Sequence, residues 1–257
     1  MMTLWTVQKV AKTIPPREVL ARAIQLQSNM SMDQLRAMIQ QQAGLREMVG
    51  EDVQKAMESA DGIPPFILDT MIGAYLKGMG FVFAVHEQGW PAVEKLYTEY
   101  PPQSTEQILH PEKWFAREAA VNFVWPDLGK VSDLRDWELL DNDVLGEFQW
   151  RVVFKEHGLS AEAESAAAGW GGDRYAVFKH RNSDATLLML RTTWDTAADA
   201  AEFADAYRKV LAVKYADSPK PTRVEQKGVD VFIVEGGDEA RIDSLLRVVR
   251  NVPKPRG

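Results

Sequence analysis

Apolar positions recur every three or four residues through the first half of the chain and alternate in much of the second. Helices are predicted from residue 2 to 13, with Leu4, Val7, Val10 and Ala11 on one stripe, then over 17–27, 32–42 and on to about Ala60. Ser31 and Gln34 form a capping box for the third of these. Nothing that caps a helix precedes the first, which therefore reads as the continuation of an element begun further upstream. Asp61-Gly-Ile-Pro-Pro65 breaks the pattern. A long helix is then predicted over Phe66–His86, apolar around most of its circumference and so central to a core. Its Gly73, Gly78 and Gly80 each cost about 1 kcal/mol relative to alanine, and a close helix or backbone approach would explain them. Gly89-Trp-Pro91 turns into a helix over Ala92–Tyr100, with Pro91 suited to its first position.

Beyond residue 115 the alternation predicts short strands at Ala120–Pro126 and Trp137–Leu140. A helix over Val144–His157, capped by Asp141 or Asn142, and an alanine-rich one over Ala161–Ala168 follow. Arg174–His180 and Thr186–Trp194 form a hairpin pattern, and Thr222–Gln226 and Val229–Val234 a second about Lys227-Gly228. Between them Ala197–Tyr215 is strongly amphipathic, with Asp195 or Thr196 as its cap. A last helix capped by Asp238 runs to Arg250. This ββαββα order predicts an α+β fold, an antiparallel sheet with helices on one face behind a helical N-terminal half. The division falls at 1–157 and 158–257, unless the two parts are layers of one domain.

Charge and composition narrow the function more than they define it. A net charge of -7 disfavours nucleic acid as a partner, because phosphate binding needs a basic face. The absence of cysteine removes disulfides, thiolate metal sites and cysteine nucleophiles. The most apolar stretch, Phe66–Val85, carries Asp69 and Lys77, which argues against a membrane span. No basic-then-apolar export signal opens the chain, which reads as cytoplasmic as it stands and as exported if a segment precedes it.

Candidate chemistry concentrates in Tyr100-Pro-Pro-Gln-Ser-Thr-Glu-Gln-Ile-Leu-His-Pro-Glu-Lys-Trp114. Ser104 and Gln107 are spaced as a capping box, and the helix they open stops at His110 because Pro111 follows. Glu106 and His110 stand four apart, an acid–base pair if one helix carries both, with Glu112 and Trp114 alongside. The structural alternative is a capped helix whose histidine pairs with a carboxylate. His86-Glu-Gln-Gly-Trp90 begins like a zincin helix, but Trp90 stands where the second histidine belongs. Gly169-Trp-Gly-Gly-Asp173 could cradle an anion, yet it contains no cation and leads into a strand, so a tight turn that buries Trp170 is the simpler reading. No cofactor motif is present.

The stretches Phe81-Val82, Gly89-Trp90-x-Ala92-Val93, Tyr100 to Trp114, Leu145-Gly-Glu147, Gly169-Trp-Gly-Gly-Asp-Arg-Tyr175 and Thr193-Trp-Asp-Thr196 resemble a group of bacterial and archaeal proteins related to gluzincin-type zinc metallopeptidases. The resemblance runs from about residue 66 to 215. It adds Glu147, Trp170, Asp173, Trp194 and Asp195 to the candidate cluster. In fuller members a His-Glu-x-x-His helix and a later glutamate hold zinc, and this sequence contains neither. The expectation is a non-catalytic relative or fragment with a scaffold or binding role, taking a protein or peptide ligand, and holding no metal or cofactor. Two alternatives stand beside it: a hydrolase using Glu106 and His110 in a cleft, and the supporting part of a metallopeptidase whose zinc segment lies upstream. An unpartnered first helix bearing Leu4, Trp5 and Val7 further predicts a homodimer through residues 1–27.

Overall fold

A computed structural model describes residues 65–254, and the helices and dimer surface expected over 1–64 lie outside the described residues. The chain divides into two units, each described by itself: among the described residues, 65–103 with 107–118, and 104–106 with 119–254. The 157/158 boundary expected from composition runs inside the second unit, because the helix before it packs on the sheet after it.

The first unit is helical. Helix α1 spans Pro65–His86 and α2 spans Trp90–Thr98, with Pro91 in the first turn and Gly89 at φ 93 as its N-cap. Helices α3 (Thr105–Leu109, shared with the second unit) and α4 (Pro111–Phe115) are single turns. Phe81 and Val85 pack with Val93 and Leu96, and Ile108 and Trp114 close over them. Among the described side chains of α1, the buried ones, Phe81 and Val85, lie in its last turns, whereas Ile67, Met71 and Tyr75 are exposed. Among the described residues, a Cβ on Gly78 would meet nothing within 4 Å.

The second unit is an α+β fold around a five-stranded antiparallel sheet of order β1-β2-β3-β5-β4. The strands are β1 (Trp137–Asp141), β2 (Trp170–His180), β3 (Thr186–Trp194), β4 (Thr222–Lys227) and β5 (Asp230–Gly236). Helices α5 (Gly146–Glu156) and α6 (Ala163–Ala167) precede β2, α7 (Ala197–Lys214) joins the hairpins, and α8 (Ile242–Arg250) follows them. The expected ββαββα run is present from β2 to α8, with β1 added at one edge. Thr196 and Asp199 form a reciprocal capping box for α7, which satisfies two N–H groups that its first turn leaves over.

The helices do not share one face, which corrects the expected layering. Side chains alternate along a strand, and here both sets are apolar. Leu190, Trp194, Val231 and Ile233 point toward α5, α6 and α7. Leu187, Met189, Phe232 and Val234 point the other way, onto α8 and the segment 121–134. That segment is where a strand was expected at Ala120–Pro126. Its alternation is real, since Phe123 and Trp125 are buried and Val124 is 64% exposed. It nevertheless lies across the sheet face rather than in the ladder, tied by Val121 N–H to Gly171 O and Trp125 Nε1–H to Tyr175 O. Period two reports which residues are buried, not which backbone groups pair.

Candidate functional site

The residues singled out by sequence separate into a structural knot and a more open stretch. The knot centres on Asp173 of β2, which is fully buried. Its Oδ1 accepts the Leu145 N–H at 2.8 Å, and its Oδ2 accepts the Gly146 N–H at 3.0 Å, the Trp150 indole at 2.9 Å and the Trp170 indole at 2.7 Å. Burial pushes this carboxyl above the ordinary carboxylate range, and the four donors, the two backbone amides first, pull it back. Leu145 and Gly146 open α5, so the helix is capped from 27 residues away rather than by Asp141 or Asn142 as the sequence had implied. A carboxylate there also complements the positive end of the helix.

The glycines around Asp173 bring backbone and side chains close enough to build the knot. At Gly169, φ +73, a Cβ would lie 2.6 Å from Asp199 Oδ2, and at Gly172 it would lie 2.4 Å from Val121 O. The sequence Gly169-Trp-Gly-Gly-Asp173 therefore serves packing and capping, and it forms the start of β2 with a register shift between Trp170 and Gly172. Trp194 pairs with Trp170 across the ladder and lies 4.5 Å from Phe203. Asp195 is exposed, and its N–H donates to Gly169 O at 2.7 Å. Glu147, the second residue of α5, is wholly buried and accepts from Arg151 at 2.5 Å.

In the polar stretch, Ser104 precedes α3 and Gln107 is buried within it. Gln107 Oε1 accepts from the Gln103 N–H at 2.8 Å, one residue ahead of the expected cap, and its Nε2 donates to Glu118 O. Glu106 is also buried. The helix ends at Leu109, and His110 (φ -126, ψ 80) is the N-cap of α4, so the continuous helix that would align Glu106 with His110 is interrupted. His110 Nδ1 stands 3.7 Å from the exposed Glu112 carboxylate. Trp114 donates its indole N–H to Tyr100 O at 2.9 Å.

Two buried charged clusters went unread in the sequence. Glu235 on β5 accepts from the Tyr207 hydroxyl at 2.8 Å and from Lys214 and Tyr215. Burial, with Glu235 adding to it, raises both tyrosines well above their ordinary pKa. Strand parity was the available signal, because Val231, Ile233 and Glu235 share one face. On the opposite face Arg191 lies over the rings of Phe123 and Phe232, 3.6 Å from Asp230, and burial lowers its pKa.

A smaller tie fixes β1 to β2. The Tyr175 hydroxyl donates to Asp141 Oδ2 at 2.5 Å, and that bond is the first cause of a carboxyl pKa below the ordinary 3.8. Because the folded value is depressed, the stabilisation exists above the unfolded pKa and is lost as pH falls through the folded one. Tyr175→Phe should therefore melt below the parent at neutral pH, with the gap narrowing at a pH taken well below the ordinary carboxylate value of 3.8. Thermal melts at both pH values check this, and an equal gap at each would exclude the mechanism.

Among the described residues no helix is long and apolar enough to cross a membrane. No curated protein and no solved structure matches the chain. Residues 138–246, from β1 into α8 and including Asp173 and Glu235, are similar to one family, described as Domain of unknown function (DUF8575).

Proposed function

We propose that the chain is a non-catalytic relative of metallopeptidase-like proteins whose role is to scaffold or bind rather than to cleave. The observation that supports this reading is the state of Asp173. Both oxygens of this fully buried carboxylate accept N–H donors, one on Oδ1 and three on Oδ2, which suits a structural post better than a group held out to a substrate or metal. The interruption of the helix between Glu106 and His110 weighs in the same direction against a hydrolase built on that pair. In the fuller members zinc is held by a His-Glu-x-x-His helix and a later glutamate, and this sequence contains neither.

The test is direct. The purified chain, assayed on a general peptide substrate with and without added zinc, should show no chelator-sensitive hydrolysis, and elemental analysis should find far less than one equivalent of tightly held zinc. Either a chelator-sensitive activity or about one equivalent of retained zinc would overturn the reading. The intact mass of the polypeptide in its source cells separates a self-standing scaffold from the supporting part of a longer enzyme.

A further inference from the structure

The helical unit holds a cleft of about 330 Å³ between α2 and the turn after α4. Pro91 and Ala92 form one side, and Tyr100, Trp114 and Phe115 supply aromatic walls. The walls are held in place before any ligand arrives. Trp114 is fixed by its bond to Tyr100 O and by edge contacts to Phe81 and Phe115, with ring centroids 5.7 and 5.1 Å away.

Arg117 stands at the mouth. It is the residue of non-glycine type with positive φ among the described residues, at 56°. Such backbone outliers gather at ligand clamps, where the surroundings hold them. The turn places its guanidinium 3.9 Å over the centroid of the Tyr100 ring. Glu118, the acid next to it in sequence, is engaged instead by Lys113 at 2.8 Å. No carboxylate among the described residues lies within ion-pairing distance of Arg117. A guanidinium whose Cζ lies over a ring, with no acid paired to it, still has N–H donors to offer, and their planar fork matches the two oxygens of a carboxylate. Lys95, the second cation on the cleft, makes a half-exposed i,i+4 contact to Glu99 at 3.8 Å, the weak kind of surface pair.

From this geometry we propose that the cleft binds a small aryl carboxylate, its ring among Trp114, Phe115 and Tyr100 and its carboxylate on the Arg117 edge. Flat rings pack against such walls in edge or offset contact. The volume lies at the lower end of small-molecule pockets and suits a free ligand of one or two rings rather than an extended peptide. The proposal is independent of the non-catalytic reading, since it uses no residue on which that reading depends.

Calorimetric titration of the full chain with 2-naphthoate tests it, with 2-naphthamide as the uncharged counterpart of the same shape. Naphthoate should bind saturably at one equivalent, and the amide should bind about tenfold more weakly or not at all. Arg117→Gln should lose about tenfold for naphthoate while leaving the amide unchanged, and Arg117→Lys should fall between. Absence of saturable naphthoate binding up to about 1 mM would overturn the proposal, as would equal affinities for acid and amide. Should Arg117→Gln fail to fold, the acid–amide comparison on the parent chain decides alone.

Discussion

Asp173→Ala is expected to destabilise the sheet unit by about 4 kcal/mol or more. Removing the carboxylate strands four donors at once: the N–H groups of Leu145 and Gly146 and the indoles of Trp150 and Trp170. Each buried donor left without a partner costs about 1–3 kcal/mol, and water entering the space recovers part of the sum. Water has little room here, because both tryptophans are only 2% exposed and Trp150 is packed edge-on against Phe203 at 4.9 Å. The helix start loses its cap in the same stroke. For a unit of this size the loss corresponds to a fall of roughly 8–16 °C in melting temperature. Asp173→Asn should lie between alanine and the parent, because one carbonyl oxygen still accepts while the new amide presents hydrogens to the remaining donors. Tryptophan emission should shift to the red in both variants. A catalytic carboxylate behaves otherwise: its removal leaves the melt intact and changes a turnover rate. An Asp173→Ala chain that melts with the parent would end the structural reading of this residue.

The contrast with what the sequence discloses is instructive at this position. Asp173 is legible as unusual, an acid at the head of a strand behind three glycines, and the turn that buries Trp170 follows from composition. Its partners are not legible, since Leu145, Gly146 and Trp150 come from 23 to 28 residues upstream and no local periodicity links them. Local signals worked where the physics is local. The capping box of α7, the hairpin about Lys227-Gly228 and the stop before Pro111 all depend on residues within four positions of one another. They failed where a choice is made between faces. Amphipathic spacing along Ile242–Arg250 says that one side of α8 is buried, yet only the sheet's doubly apolar strands send it to the face opposite α7. Glu235 shows a third kind of failure. Strand parity points it inward, but the tyrosines that make the burial tolerable sit on and just after a helix, 28 and 20 positions earlier.

Gly172→Ala should cost roughly 4 kcal/mol, and its cause can be separated from the general penalty of a strained glycine. The added Cβ would lie 2.4 Å from Val121 O and 3.0 Å from Val121 N, at a φ of +150. Both contacts are to backbone, so no rotamer change relieves them. The segment 119–126 must move away, and it is held to this strand by the Val121 N–H to Gly171 O bond. Its displacement uncovers Phe123 and Trp125, which fill the sheet face beside α8. Forcing a methyl into a filled interior typically costs 1–3 kcal/mol, and an unfavourable backbone region adds about as much. Gly228→Ala supplies the comparison: its φ is +60, yet a Cβ there meets nothing within 4 Å. That variant carries the backbone penalty alone, about 1 kcal/mol. The difference between the two melts then measures the steric conflict with Val121, near 3 kcal/mol or roughly 6–12 °C. Red-shifted tryptophan emission should accompany Gly172→Ala and be absent from Gly228→Ala, because only the first loosens the cover over Trp125. If the two alanine variants melt within about 2 °C of each other, backbone strain accounts for both, and the close seat of Val121 on β2 contributes nothing to stability.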